Sequence, residues 1–208
     1  KRLRALVGDL ALGLGSVRAS PGERPVLTLA AGDSVLRWLV LPALGSFAGG
    51  PPAKVSLSAS SNVLDDLTEG RARLGLLRAQ ALPGTGGFVT ASCGPIAFAL
   101  FVPRALARSK LGLEDVLDRV PLVDVSADRE PFEALVRLVG RPLSPTLTCE
   151  TFPQAARAVA TGRFAAVLPT FATSELAPTQ ATVWPLPKLR VRGSRLLLVA
   201  RARTLETE

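Results

Sequence analysis

Short apolar runs alternate with helical, half-apolar stretches along this 208-residue chain, and most runs end in a turn rich in glycine and hydroxyls. That alternation predicts an α/β fold, because successive parallel strands need a crossover helix between them. Two further observations divide it into two Rossmann-like lobes. The alternation restarts after the apolar run at 98–102, and a last apolar run at 195–201 closes the series. The chain is therefore expected to pass into a second lobe and return to the first.

The pattern is plainest at 26–47, VLTLAAGDSVLRWLVLPALGSF. Val26-Leu27-Thr28-Leu29-Ala30 is mostly apolar with β-branched members, which suits a buried strand. Gly32-Asp33-Ser34 supplies a turn and a helix N-cap. Leu36, Leu39, Val40, Leu44 and Phe47 then recur at helical spacing, so the helix should bury one face. Upstream, Leu3, Val7, Leu10, Leu14 and Val17 form a heptad seam suited to pairing helices. Gly8, Gly13 and Gly15 weaken that helix by about 1 kcal/mol each relative to alanine, so it needs a partner or a longer parent helix. Residues 20–25, SPGERP, read as a linker.

Residues 55–59 alternate as a second strand, and Ser60-Ser61-Asn62 caps a second helix with Asp65 and Asp66 in its first turns. A third strand is expected near Leu74 and Leu76. Residues 83–87 form a loop, and strands run through 88–102. In the second lobe 112–119 is helical and 121–125 is a strand. Asp128 is placed to cap a helix whose Phe132, Leu135, Val136 and Val139 fall at i, i+3, i+4 and i+7, with Gly140 as its stop. A strand at 146–149 leads to Thr151, which caps a helix with Pro153 near its first turn. Gly162 ends that helix before a strand at 165–169.

Five segments, in order, resemble the effector-binding domain of LysR-type transcriptional regulators. They are Leu29-Ala30-Ala31-Gly32-Asp33-Ser34 followed by Leu39-Val40-Leu41-Pro42; Leu67-x-x-Gly70-x-x-Arg73-Leu74-Gly75-Leu76; the run from Cys93-Gly94-Pro95 to Pro103; Ala158-Val159-x-x-Gly162-x-x-Ala165-x-Val167-Leu168-Pro169; and Val183-Trp184-Pro185-Leu186 leading to the 195–201 run. Arg73 stands where the family has an aspartate, and the fourth segment lacks the family's second glycine. The resemblance implies a type 2 periplasmic-binding-protein-like fold, with two lobes joined by two hinge strands and preceded by a linker-helix fragment. Lobe I is expected over 25–98 and 201–208, lobe II over 99–200, and the linker helix over 1–20. Closure is expected to hinge on 98–102 and 197–201. It further implies a homo-dimer or tetramer. DNA would be reached only through a winged helix-turn-helix outside this chain. The family's final helix is missing after Glu208, and there is no methionine, so the chain reads as a fragment.

Composition narrows the functional classes. The chain is 48% hydrophobic, yet no stretch approaches the ~20 uninterrupted apolar residues of a membrane span. No membrane association is therefore expected, and two distant cysteines with no CxxC favour a reducing, cytoplasmic location. The net charge of +8 comes from scattered basic residues without interleaved aromatics, so it reads as a solvated basic surface. With no histidine, Ser-His-Asp, Cys-His and histidine-zinc sites are impossible. Cys93 and Cys149 lie far apart, in predicted strands, and read as buried inert thiols. There is no Walker loop. No catalytic residue, metal or cofactor is expected.

Candidate ligand contacts lie where open sheets take ligands, beyond the carboxyl ends of strands. Those positions are Asp33 and Ser34 (with Val35 one residue on), Ser60, Ser61 and Asn62, Ser126 and Asp128, Thr151 and Phe152, and Pro169 with Thr170. Hydroxyls and helix N-termini dominate, which points to a small carboxylate or similar anion. The family resemblance implies the same, since many members sense small organic acids; the expectation is therefore a small organic acid effector in the cleft between the lobes, bound by Ser34, Ser61 and Thr151. Asp33 and Asp128 oppose a bare anion unless each serves as a cap. The alternatives are a periplasmic-type solute-binding protein, which an export signal would mark, and an enzyme on the same fold such as a dehydratase.

Overall fold

A computed structural model describes residues 26–45, 54–82, 84, 86–107 and 112–202. The heptad seam, the linker, Phe47 and residues 83 and 85 of the 83–87 loop lie outside them. The chain divides into two compact units, residues 1–95 with 193–208, and residues 96–192.

The first unit holds one five-stranded sheet, ordered β2-β1-β3-β10-β4. Its strands are β1 (Val26–Ala31), β2 (Lys54–Ala59), β3 (Leu74–Arg78), β4 (Phe88–Pro95) and β10 (Arg195–Arg201). β1 is parallel to both β2 and β3, as strands linked through helices must be. β10 is antiparallel to both β3 and β4, and so sits between them. Helix α1 follows β1 in three pieces, Asp33–Val35, a π-helical turn at Leu36–Val40, and Leu41–Gly45. The wider π turn changes the apolar face read from the sequence: Leu36, Trp38 and Val40 are buried, whereas Leu39 and Leu44 are half-buried. Helix α2 (Val63–Thr68) packs Val63 and Leu67 against Ala30, Leu77 and Val199.

The second unit repeats this plan in the order β7-β6-β8-β5-β9. Its strands are β5 (Phe98–Pro103), β6 (Leu122–Val125), β7 (Leu147–Cys149), β8 (Ala165–Pro169) and β9 (Ala181–Trp184), and its helices are α3 (Arg104–Ala107), α4 (Leu113–Arg119), α5 (Glu130–Val139) and α6 (Phe152–Ala160). β6 is parallel to β7 and β8, and β5 runs antiparallel to β8 and β9. Leu100, Val102, Val116, Phe132, Leu135 and Val167 form one core cluster. Burying such side chains stabilises by about 1.5–3 kcal/mol apiece. α5 ends at Gly140, whose φ of 69° is the left-handed conformation a helix stop needs.

The chain makes two crossings between the units. They fall after Pro95 and after Arg192. β5 is an interior strand of the second sheet and β10 an interior strand of the first.

Candidate functional site

In the first unit, the carboxyl ends of β1 and β2 are neighbours because the strands are parallel and in register. The Ser60 N–H donates to the Ala31 carbonyl at 3.0 Å, which draws the two turns together. Gly32, Asp33, Ser34 and Val35 follow β1 and are all half-buried. Within the expected Gly32-Asp33-Ser34 turn, the N-cap is Gly32. Its carbonyl accepts from the Val35 and Leu36 N–H groups at 3.0 and 3.1 Å, and no side chain caps the helix. Extended backbone at a cap suits any residue, and glycine leaves the turn unobstructed. Asp33 and Ser34 are therefore the first helical residues.

After β2, Ser60 and Asn62 are committed to structure. The Ser60 hydroxyl oxygen accepts from the Asn62 N–H at 3.1 Å and also hydrogen-bonds the Asp66 carboxyl. Asn62 caps α2, its Oδ1 accepting from the Asp65 N–H at 3.4 Å while its Nδ2 donates to Asp65 Oδ2. Asp66 is buried. The Ser60 hydroxyl, then the Arg71 guanidinium at 2.7 Å, hold its carboxyl below the ordinary value against the opposing effect of burial. The side chains of Ser34 and Ser61, by contrast, make no hydrogen bond with the described residues. β3 ends in Arg78, a charged residue the sequence reading did not select, whose Nε donates to the Gly193 carbonyl at 3.4 Å. Arg73, in place of the family aspartate, is anchored by its backbone: its N–H donates to Thr28 Oγ1 at 3.0 Å, and its side chain is exposed.

In the second unit, the carboxyl ends of β7, β6 and β8 and the start of β5 share one sheet edge. The Ser126 N–H and hydroxyl both donate to the Cys149 carbonyl, at 2.8 and 3.3 Å, and the Thr170 N–H donates to the Ala97 carbonyl at 2.9 Å. Phe152 sets its ring 6.0 Å from that of Phe98, tilted by 53°. Pro169 is the buried last residue of β8, and Thr170 is half-buried beyond it. Thr151 is the N-cap of α6, as expected. Its Oγ1 accepts from the Gln154 N–H at 3.4 Å, while Gln154 Oε1 accepts from the N–H groups of Thr151 and Glu150 at 3.3 and 2.8 Å. This capping box has a consequence the sequence hid: with Pro153 lacking an N–H, Phe152 carries the one first-turn amide not already used. Asp128 does not cap α5. The N-cap is Arg129, and the Asp128 N–H closes a turn onto the Val125 carbonyl at 3.1 Å.

Asp124, on β6, is the charged residue the sequence reading missed altogether. It is 3% exposed, accepts from the Val125 N–H at 2.8 Å and is paired with Arg129 Nε at 2.9 Å. An aspartate inside an apolar LVDV run was the available signal.

Cys93 and Cys149 are free thiols, both half-buried, and burial pushes both up from the ordinary thiol value. Among the described residues no group of three or more potential metal ligands occurs, and no helix is long and apolar enough to cross a membrane.

A sequence profile of the LysR substrate binding domain matches residues 20–208. The chain belongs to that family. It is a family of transcriptional regulators rather than enzymes, and the domain is their effector-binding part. Solved structures agree on the fold. The effector domain of AmpR from Pseudomonas aeruginosa superposes with a TM-score of 0.66 at 19% identity, over 85% of this chain and 86% of that one. The AmpR effector binding domain from Citrobacter freundii gives 0.68 at 17% identity, over 86% and 90%. The bromide-bound regulatory domain of HypT from Salmonella typhimurium gives 0.67 at 15% identity, over 89% and 90%. No curated protein sequence matches this one. The two repeated sheets are thus those of a LysR-type effector domain.

Proposed function

We propose that this LysR-type domain senses a small organic acid, received at the carboxyl ends of its parallel strands, and transmits that binding to a DNA-binding part of a longer cytoplasmic regulator through a homo-oligomer. The family match over residues 20–208 is the observation that carries the sensing role. The ligand class rests on the hydroxyls of Ser34 and Ser61, the Phe152 amide, and the cations Arg78 and Arg129 at those strand ends. HypT, on the same fold, holds a bromide ion in its regulatory domain, which supports an anion here. Asp33 is not consumed as an N-cap, and this favours an acid that also bears an amine or hydroxyl. At the second unit's own sheet edge stand Thr151, Ser126, Pro169 and Thr170, and in the first unit Ser60 and Asn62 hold the turn that carries Ser61.

Isothermal calorimetry against small carboxylates, amino acids and hydroxy acids tests the reading. Ser34→Ala and Ser61→Ala should each weaken binding by roughly tenfold, the loss expected when a hydrogen bond to a charged group is removed. Unchanged affinity in both variants, or binding of cations alone, would overturn it. Sedimentation of the chain should show a species heavier than a monomer.

A further inference from the structure

We infer that Arg129, held at the carboxyl edge of the second sheet by the buried Asp124 carboxylate, is the cation that receives the effector's carboxylate; this deepens the proposed function and rests on it. Asp124 sits in the penultimate position of β6 and is 3% exposed. One of its oxygens takes the Val125 N–H at 2.8 Å, and the other takes Arg129 Nε at 2.9 Å. The arginine side chain itself remains 60% exposed.

This geometry is selective about which part of the guanidinium it uses. Nε is spent inward on Asp124, and the terminal Nη1 and Nη2 have no partner among the described residues. Those two amino groups form the end-on fork that takes a carboxylate through two parallel hydrogen bonds. A lysine in the same place would present a point charge with no fixed plane.

Stability alone is a poor reason for the pair. A carboxylate buried on a strand loses its hydration, and an apolar residue of similar volume is often as good or better for folding. What the buried partner does achieve is orientation, since an arginine anchored at Nε has lost the freedom it would otherwise have to give up on binding.

The setting favours an anion. Arg129 is the N-cap of the ten-residue α5, so the positive end of that helix adds to its charge. Of the carboxylates alongside, Glu130 is already engaged, accepting from the Arg192 N–H at 2.8 Å and from the Arg137 guanidinium at 2.5 Å. Asp128 also has a partner within the fold.

The test pairs each acid with its neutral amide: acetate with acetamide, succinate with succinamide, benzoate with benzamide, titrated into the 208-residue chain and its variants. The acids should bind and the amides should not. Arg129→Ala should lower acid affinity by about tenfold or more, and Arg129→Lys should recover only part of it. Arg129→Ala leaves the buried Asp124 carboxylate unpaired and should melt below the wild type, so binding is compared at a temperature where circular dichroism shows every variant folded. Asp124→Asn should weaken the acids while the circular dichroism spectrum of the folded chain is retained, which a general loss of structure would not do. If an acid binds, Ser34→Ala weakens it and Arg129→Ala does not, the inference is overturned and the proposed function stands. If no acid binds the wild type, both are overturned.

Discussion

Gly75→Ala should loosen the first unit by a calculable amount. Gly75 lies in β3 beneath α2, and a methyl group at its Cβ position would stand 2.5 Å from Val63 Cγ1, 2.9 Å from Leu67 Cδ1 and 3.4 Å from Leu67 Cγ. Carbon atoms prefer a separation of about 3.5–4.0 Å. Neither neighbour yields easily: Val63 and Leu67 are 8% and 1% exposed, and a β-branched valine has few rotamers to retreat into. Overpacking of this kind costs roughly 1–3 kcal/mol. Against it stands a gain of roughly 0.4–1 kcal/mol from the stiffer unfolded chain when glycine becomes alanine. The net is a loss of about 1–2 kcal/mol, or a fall in melting temperature of roughly 2–8 °C for a chain of this length. Calorimetric melts of wild type, Gly75→Ala, Val63→Ala and the double variant measure it. Removing the Val63 methyls should make room, so the double variant should lose less than the two singles together. A Gly75→Ala protein that melts at or above wild type, or strictly additive losses, would refute the close approach of α2 to β3. Because Asn62 begins that helix and Ser61 precedes it, the same variant should also weaken acid binding.

Three further outcomes are expected. Asp66 is held below its ordinary value of 3.8, so its contribution is complete above that value and is lost as pH falls through the lower folded one. Urea midpoints followed from pH 5 downward should therefore fall more steeply in wild type than in Asp66→Asn. Thr151→Ala should remove the α6 cap and cost about 1 kcal/mol, with Thr151→Ser restoring most of it in thermal melts. The raised thiols of Cys93 and Cys149 should react with iodoacetamide at pH 7 more slowly in the folded protein than in urea, read by mass spectrometry; equal rates would contradict their burial.

The sequence by itself determined what depends on neighbours within a turn or two. Strand positions followed from apolar runs, the Asn62 and Thr151 caps from side chains that reach three residues ahead, and the stop at Gly140 from its freedom at positive φ. The five family segments fixed the fold class for the same reason, each being a local pattern of strand, turn and helix. The carboxyl ends that make up the candidate site were legible in that way as well.

Only the tertiary structure decided which of those groups are spoken for. Ser60 was indistinguishable from Ser61 in the sequence, yet its hydroxyl is turned to Asn62 and Asp66. Of the Gly32-Asp33-Ser34 turn it is Gly32 that caps, and a π turn redirected the apolar face of α1, because helix geometry answers to the sheet it packs on. β10 enters the first sheet between β3 and β4, a pairing across more than a hundred residues that no local pattern encodes. Asp124 reads as an intrusion in a strand until the fold wraps it and brings Arg129 against it. Periodicity and capping are short-range and leave their mark in the order of residues, whereas strand order and the partners of buried charges arise when distant segments are packed together.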